Sequence, residues 1–250
     1  RRRWVPDEAD VLFLAGEDWN TLPAAARRQF ARPIINLIQG VRHADPGQPL
    51  AQFLGNRAVR ICVSPEVSDA ILATGLVNGP VFTVSNGLDR RLLPTPPKTR
   101  DIDILVAGAK NPAMAVEVEK RLVPAHVRCL RHPVLRSEFL EALSRSQVAV
   151  LLPLQAEGFY LPALEAMALG AIVICPDCVG NRSYCLDGVN CFRPAYALNG
   201  IVEAALAARS LDEGAKAAML MRAEQTVSNH DLSNERSLFL GILENVFDLW

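Results

Sequence analysis

The feature that most constrains the fold of this chain is a repeated alternation of short apolar runs with segments of helical character. Apolar runs that predict strands occupy residues 11–15, 33–38, 58–63, 81–84, 102–107, 126–130, 148–152 and 171–175. Parallel strands need a long crossover connection, which is usually a helix. The alternation therefore predicts an α/β fold with parallel sheets covered by helices.

The helix predicted over residues 65–74 carries the clearest boundary signals. Ser64 stands at the N-cap, Pro65 at the first helical position and Gly75 just beyond the end. Further helices are predicted over residues 21–32, 112–122, 137–146, 199–210, 212–226 and 231–250.

A polar, proline-rich stretch at residues 94–100 interrupts the alternation, since it cannot continue a helix or an inner strand. We predict a linker there, between an N-terminal lobe at 1–93 and a second lobe at 101–228. The apolar spacing of the last segment predicts a helix at 229–250. Ligands of α/β sheets bind at the carboxyl ends of the strands, so we expect a cleft between the two lobes. We expect the first lobe to be short or truncated.

Composition excludes several classes of protein. The net charge of -1 gives no electrostatic reason to expect nucleic acid as a partner. The longest apolar stretches, such as residues 148–154, are far shorter than the ~20 residues needed to cross a bilayer. No signal-peptide pattern opens the sequence. We expect a cytoplasmic protein.

The cysteines raise the question of a metal site. Six cysteines fit a reduced protein better than a disulfide scaffold. Cys175, Cys178, Cys185 and Cys191 are grouped, but their spacing lacks the paired C-x2-C halves of a zinc ribbon. We expect no metal.

The most specific motif is E-G-F-Y-L-P-A-L-E-A-M-A-L-G at residues 157–170. Two glutamates are separated by seven residues across a glycine turn that leads into a helix, so both can face one ligand. Free amides at the helix start favour phosphate, whereas carboxylates accept from hydroxyls. Together these groups predict a nucleotide-sugar site, formed by Glu157, Gly158, Phe159, Tyr160, Leu161, Pro162 and Glu165.

This segment resembles the E-x7-E signature of the GT-B retaining glycosyltransferases, the group 1 family of glycogen synthases and many bacterial polysaccharide transferases. The segments Ser85-Asn-Gly-Leu-Asp and Asp187-Gly-Val-Asn resemble two further family motifs, and a simple Asn-Gly turn explains the first of them equally well. An ordinary amphipathic helix with two surface glutamates would explain the apolar spacing, but not the Glu-Gly-aromatic start. The resemblance implies two Rossmann-like lobes, with the acceptor side at 1–93 and the nucleotide-sugar (donor) side at 101–228. It implies that the helix at 229–250 crosses back to the first lobe, and a helix packed only on the second lobe fits the sequence equally well. It further implies transfer of a hexosyl group from a nucleotide diphosphosugar to a hydroxyl acceptor. It also implies retention of configuration, independence of metal, and a place in polysaccharide or glycolipid synthesis.

The resemblance also implies roles for the donor-side residues. Glu157 would hold sugar hydroxyls as a catalytic residue, and Glu165 would bind the ribose. Lys110 would bind the diphosphate. The second cation of the family is replaced by Ala109 or is missing here, so the diphosphate is expected to depend more on the helix start or on another basic residue such as Arg182.

Two histidines complete the predicted site. By the same resemblance, His132, after the strand at 126–130, is expected near the base. The resembling family often has a basic or histidine residue in catalysis after the strand at 33–38, which makes His43 a candidate catalytic residue, and an exposed loop histidine is an equally good interpretation.

The expected partners are a nucleotide-sugar donor and a saccharide or glycolipid acceptor, at the inner face of a membrane if the protein contacts one. We expect no cofactor beyond the donor substrate. Two alternatives stay open: a sugar-nucleotide epimerase of the same architecture, and a non-catalytic sugar-nucleotide-binding subunit. A NAD enzyme is disfavoured because no G-x-G-x-x-G follows the strand at 102–107.

Overall fold

The structure, a computed structural model, describes residues 8–27, 30–123 and 125–250. The chain forms two compact units. Among the described residues, unit 1 contains those up to 86 and those of 233–250, and unit 2 contains those of 87–232.

Unit 1 is built on a parallel sheet. Its four strands lie in the order in which the chain forms them: β1 (Leu12–Ala15), β2 (Ile34–Ile38), β3 (Val59–Cys62) and β4 (Val81–Thr83). The connecting helices are α1 (Ala24–Arg27) and α2 (Pro65–Leu72). The predicted N-cap is confirmed, because the Ser64 side chain accepts a hydrogen bond from the Val67 amide at 3.3 Å.

Unit 2 repeats this plan with a different strand order. Its strands are β5 (Ile102–Ala107), β6 (Val127–Leu130), β7 (Ser146–Leu151) and β8 (Ile172–Ile174). Its helices are α3 (Pro112–Arg121), α4 (Arg136–Arg145), α5 (Leu161–Ala168), α6 (Leu198–Arg209) and α7 (Glu213–Asn229). The strands are all parallel and lie in the order β6-β5-β7-β8.

Alternate residues of the unit 2 strands cover the two faces of the sheet. Ile104 and Val148 belong to the buried cluster that contains side chains of α3 and α6. The adjacent Leu105 and Ala149 are equally buried on the opposite face, where α4 and α5 pack. Both faces are therefore apolar, as in other all-parallel sheets.

The chain ends with α8 (Leu232–Glu244) and α9 (Val246–Leu249), which return to unit 1. Ile242 and Val246 are buried in one cluster with Ile35 of β2. The predicted α/β fold of two parallel-sheet units, with a final helix that crosses back, is confirmed. No helix in the described ranges combines the length and the apolar character needed to cross a membrane.

Several element ends differ by a few residues from those predicted, and two differences are larger. The helix predicted over 21–32 is helical only at Ala24–Arg27, and residues 28 and 29 lie outside the described ranges. Residues 30–32 are not helical. Phe30 packs on the unit 1 core, and Pro33 disfavours a helical conformation of Arg32.

The second difference concerns the passage between the units. The predicted linker at 94–100 lies inside unit 2, and the division falls between Asn86 and Gly87 and again between Leu232 and Ser233. Backbone hydrogen bonds between the two ends of unit 2 explain where the division falls. The Leu88 amide donates to the His230 carbonyl at 2.8 Å, and the Leu232 amide donates to the Leu88 carbonyl at 3.2 Å.

Candidate functional site

A cavity of about 330 Å³ opens in unit 2 at the carboxyl ends of β5, β6 and β7. The strand order reverses here, because the chain passes from β5 to β6 on one side and returns to β7 on the other. Open α/β sheets bind ligands at such a switch point. The residues that line the cavity are Ala107, Ala109, Lys110, Leu130, His132, Pro133, Val134, Arg136, Phe139, Leu152, Tyr160, Pro162 and Glu165.

Glu165 brings a buried carboxylate to this cavity from the middle of α5. Its side chain is 2% exposed and lies 2.5 Å from the Arg136 guanidinium, which is 55% exposed. Burial raises the pKa of Glu165, and the positive charge of Arg136 opposes that rise. The carboxylate is thus held beside a cavity, with its charge balanced by one side chain.

Glu157 forms a second ion pair beside the same cavity. Its Oε1 lies 2.5 Å from the Nζ of Lys110, which lines the cavity, and also accepts from the Leu154 amide at 3.2 Å. Lys110 lies over the Tyr160 ring, 5.3 Å from its centroid. Glu157 therefore stabilises the turn in which it lies and fixes the position of the Lys110 ammonium group, which follows β5 in the chain.

The loop after β8 supports the turn that carries Glu157. The Val179 amide donates to the Gln155 carbonyl at 3.0 Å, and the Tyr184 hydroxyl donates to the Tyr160 carbonyl at 2.5 Å. The Phe159 and Tyr184 rings stack with centroids 5.0 Å apart. This loop fixes the position at which α5 begins.

The backbone amides at the start of α5 are only partly available to an anion. The Tyr160 amide, expected to face phosphate, instead donates to the Gly180 carbonyl at 3.0 Å. The amides of Phe159 and Leu161 donate to no acceptor within the described ranges. Pro162 lies in the first turn, where its missing N–H costs no helical hydrogen bond.

The structure brings five of the predicted site residues to the lining of the cavity: Lys110, His132, Tyr160, Pro162 and Glu165. Glu157, Gly158, Phe159 and Leu161 belong to the adjoining turn and helix start rather than to the lining. The Arg182 side chain pairs with Asp177 at 2.6 Å and is likewise outside the lining.

The lining residues that were not identified from the sequence include Val134, Arg136 and Phe139. They follow β6 or belong to α4, where no motif marks them. The signal available in the sequence was the position of an arginine shortly after a strand end.

His43 lies in unit 1, in a short 3-10 helix at Val41–Ala44. It is buried rather than an exposed loop histidine, so that alternative is wrong. Burial, together with the positive charges of Arg42 and Arg60, lowers the pKa of His43 to about 4. Its imidazole is neutral at physiological pH, and its catalytic role remains a prediction.

The grouped cysteines of unit 2 are buried free thiols. Within the ranges 8–27, 30–123 and 125–250, no three His, Cys, Asp or Glu side chains are arranged to hold a metal ion.

Comparison with known protein families places a match on the part of the chain that forms this cavity. Residues 88–210 match the family model described as "Glycosyl transferases group 1". The matched segment is just under half of the chain and contains the E-x7-E motif. No curated protein sequence matches the chain significantly.

Solved structures with similar folds cover nearly the whole chain. Anabaena HepE, crystallised with UDP and glucose, has a TM-score of 0.80 at 14% identity, over 95% of this chain and 78% of that one. Sucrose-phosphate synthase from Thermosynechococcus elongatus has a TM-score of 0.74 at 15% identity, over 96% and 74%. A glycosyltransferase from Rickettsia africae has a TM-score of 0.72 at 13% identity, over 96% and 78%. At these identities the likeness shows a shared fold, the two-unit GT-B architecture.

Proposed function

We propose that this protein is a retaining GT-B glycosyltransferase that moves a hexosyl group from a nucleotide diphosphosugar to a hydroxyl acceptor. The observation that carries the proposal is the meeting, at one cavity, of the buried Glu165 carboxylate, the Lys110–Glu157 ion pair and the start of α5. The ribose hydroxyls, the diphosphate and the hexosyl hydroxyls of such a donor would each contact a group of suitable chemistry there. The match of residues 88–210 to the group 1 family model supports the same reading.

The nucleoside half of the donor is assigned to the inner part of the cavity. Glu165 accepts hydrogen bonds from the ribose hydroxyls, and the base lies against the region of His132, Val134 and Phe139. A largely apolar pocket with few polar groups is typical of sites for small organic ligands, and about 330 Å³ is within their usual range.

The diphosphate is assigned to Lys110 and the start of α5. As the glycosidic bond breaks, negative charge accumulates on the diphosphate oxygens. Lys110 supplies a positive charge, and the helix start supplies the Leu161 amide and the positive end of the helix dipole. We propose that these groups stabilise the leaving group without a metal ion.

The hexosyl group is assigned to the side of Glu157. Its carboxylate accepts from sugar hydroxyls once the ligand separates it from Lys110, which lies 2.5 Å away. Ordering the sugar at fixed carboxylate oxygens positions the anomeric carbon relative to the leaving phosphate. The proposed acceptor is a saccharide or glycolipid, in polysaccharide or glycolipid synthesis.

The test is a transfer assay with the full chain. The protein is incubated with the hexose conjugates of UDP, GDP, ADP and dTDP together with a panel of oligosaccharide and glycolipid acceptors. Mass spectrometry then detects the glycosylated product and the released nucleotide. We expect one donor to give product with the anomeric configuration of the donor, as read by proton NMR, and Glu157→Gln to reduce its rate by about 100-fold.

Other outcomes would replace the proposal. Tight donor binding without release of nucleotide from any pair would favour the non-catalytic binding subunit. Conversion of the donor to an epimer in the absence of acceptor would favour the epimerase.

A further inference from the structure

The cavity of unit 2 is internally neutralised by two ion pairs, each of which joins a lining cation to an acid of the E-x7-E motif. Lys110 pairs with Glu157, and Arg136 pairs with Glu165, both at 2.5 Å. In each pair the acid is much the more buried partner, with 16% and 2% side-chain exposure. The cations are the components that can move.

The position of Arg136 is not explained by the stability of its own helix. It is the first residue of α4, and Leu135 before it provides no side-chain cap. A cation at a helix N-terminus opposes the helix dipole and is unfavourable there. The contact that compensates is the one with Glu165.

That contact occupies the place assigned to the ribose. Arg136 lines the cavity, and its guanidinium lies against the carboxylate that would accept from the ribose hydroxyls. A ligand that uses Glu165 must displace Arg136. The Arg136 side chain is 55% exposed and long, so it can move without disturbing the core.

A new partner for Arg136 lies within reach. Glu165 follows Leu161 by four residues, so the carboxylate that Arg136 contacts belongs to a residue about one helical turn, roughly 6 Å of rise, from the start of α5. The diphosphate is assigned to that helix start. A guanidinium binds phosphate oxygens through two parallel hydrogen bonds, which an ammonium group cannot provide.

We propose that Arg136 exchanges partners when the donor binds: it releases Glu165 to the ribose hydroxyls and donates to the diphosphate. The inference rests on the proposed function, since it assumes a nucleoside diphosphate in this cavity. It adds a binding residue for the diphosphate and a rule for ligand choice.

The rule is that hydroxyls and phosphates must arrive on one molecule. A nucleoside alone separates Arg136 from Glu165 but has no phosphate oxygens to accept hydrogen bonds from the guanidinium. A nucleoside diphosphate satisfies the carboxylate and the guanidinium together. Removing Arg136 should therefore have opposite effects on the two ligands.

The test is isothermal titration calorimetry of the full chain with UDP, GDP and ADP, followed by the nucleoside of whichever diphosphate binds. Nucleoside affinity is measured by competition against that diphosphate. In Arg136→Ala we expect the Kd of the diphosphate to rise about tenfold and that of the nucleoside to fall about fivefold. Arg136→Gln repeats the measurement if the alanine variant folds poorly.

Arg145→Ala is the matched control, because Arg145 is the last residue of the same helix and pairs with Asp101 away from the cavity. It should leave both affinities unchanged. If Arg136→Ala tightens both ligands, Arg136 only blocks the site and the exchange is wrong. Unchanged or uniformly weakened affinities also overturn it. If wild-type protein binds none of the diphosphates, it is the proposed function that fails.

Discussion

At the scale of single residues, the most informative side chain is Glu165, a carboxylate that is 2% exposed and yet lines a cavity. A buried carboxylate stays charged only if a partner compensates for lost hydration. In the free protein this partner is Arg136. The residue is therefore in place for a ligand that donates hydrogen bonds.

His43 provides a prediction about pH. Its pKa is lowered from 6.5 to about 4, so the folded protein binds fewer protons than the unfolded chain between these values. The contribution of the neutral His43 side chain to the free energy of unfolding is fully present above the pKa of the unfolded chain. It is lost as the pH falls from 6.5 towards 4. We expect the free energy of unfolding to fall by about 1–2 kcal/mol between about pH 7.5 and about pH 5 through this group.

Urea unfolding followed by circular dichroism at the two pH values checks this in wild type and in His43→Gln. The variant should lose less stability on acidification than wild type. His126→Gln, which removes an exposed histidine, is the control and should behave as wild type. An identical loss in wild type and His43→Gln would show that His43 titrates normally.

Residue pairs mark the limit of what the sequence could reveal at this scale. The E-x7-E motif identified Glu165 because its two glutamates are close in sequence, one in the turn before α5 and the other within α5. The partner Arg136 is 29 positions earlier, and the contact depends on how α4 packs against α5. The burial of His43 could not be predicted from the local sequence either, because the residues around it come from distant segments of the chain.

At the scale of elements, the turn before α5 depends on the loop after β8. An added Cβ at Gly180 would lie 2.5 Å from the Gly158 carbonyl carbon and the Phe159 nitrogen, and 2.7 Å from the Glu157 carbonyl oxygen. These are backbone atoms, which cannot turn aside as a side chain can. Only glycine permits this approach of the two loops.

Gly180→Ala should therefore push the motif turn away from its place. We expect a loss of about 1–3 kcal/mol in unfolding free energy and at least about tenfold weaker binding of nucleoside diphosphate. Chemical denaturation and calorimetry measure the two effects.

Gly200→Ala serves as the comparison for that variant. Gly200 lies in α6, where the nearest atom to an added Cβ is a side-chain carbon of Pro194 at 3.6 Å. Alanine is favoured over glycine in a helix, so stability should hold or rise slightly. Unchanged binding in Gly180→Ala would mean that the turn is not held by this loop.

The elements themselves were largely predictable. Each predicted strand exists, because short β-branched runs between turn signals mark buried parallel strands well. The helix predicted at 21–32 failed because local apolar spacing could not show that Phe30 packs into the core as part of a non-helical segment. Local pattern predicts an element, but tertiary packing fixes its bounds.

At the scale of the whole molecule, the chain divides into two units and passes between them twice. The passages at residues 86–87 and 232–233 are fixed by the hydrogen bonds of Leu88 with His230 and Leu232. The sequence predicted a division in the proline-rich stretch at 94–100. Prolines mark an interruption of regular structure. The division into units depends instead on which residues contact segments that are distant in the sequence.

The central claim is that the cavity at Lys110, Arg136 and Glu165 receives a nucleoside diphosphate. The most direct measurement is the thermal stability of the full chain, wild type and Glu165→Ala, titrated with UDP, GDP, ADP and dTDP. We predict that one nucleotide stabilises the wild type, by about 2.7 kcal/mol at 100 times its Kd, and that Glu165→Ala shows a clearly smaller shift at the same concentration. If no nucleotide raises the Tm of the wild type, or if the shift in Glu165→Ala is equal, the claim is contradicted.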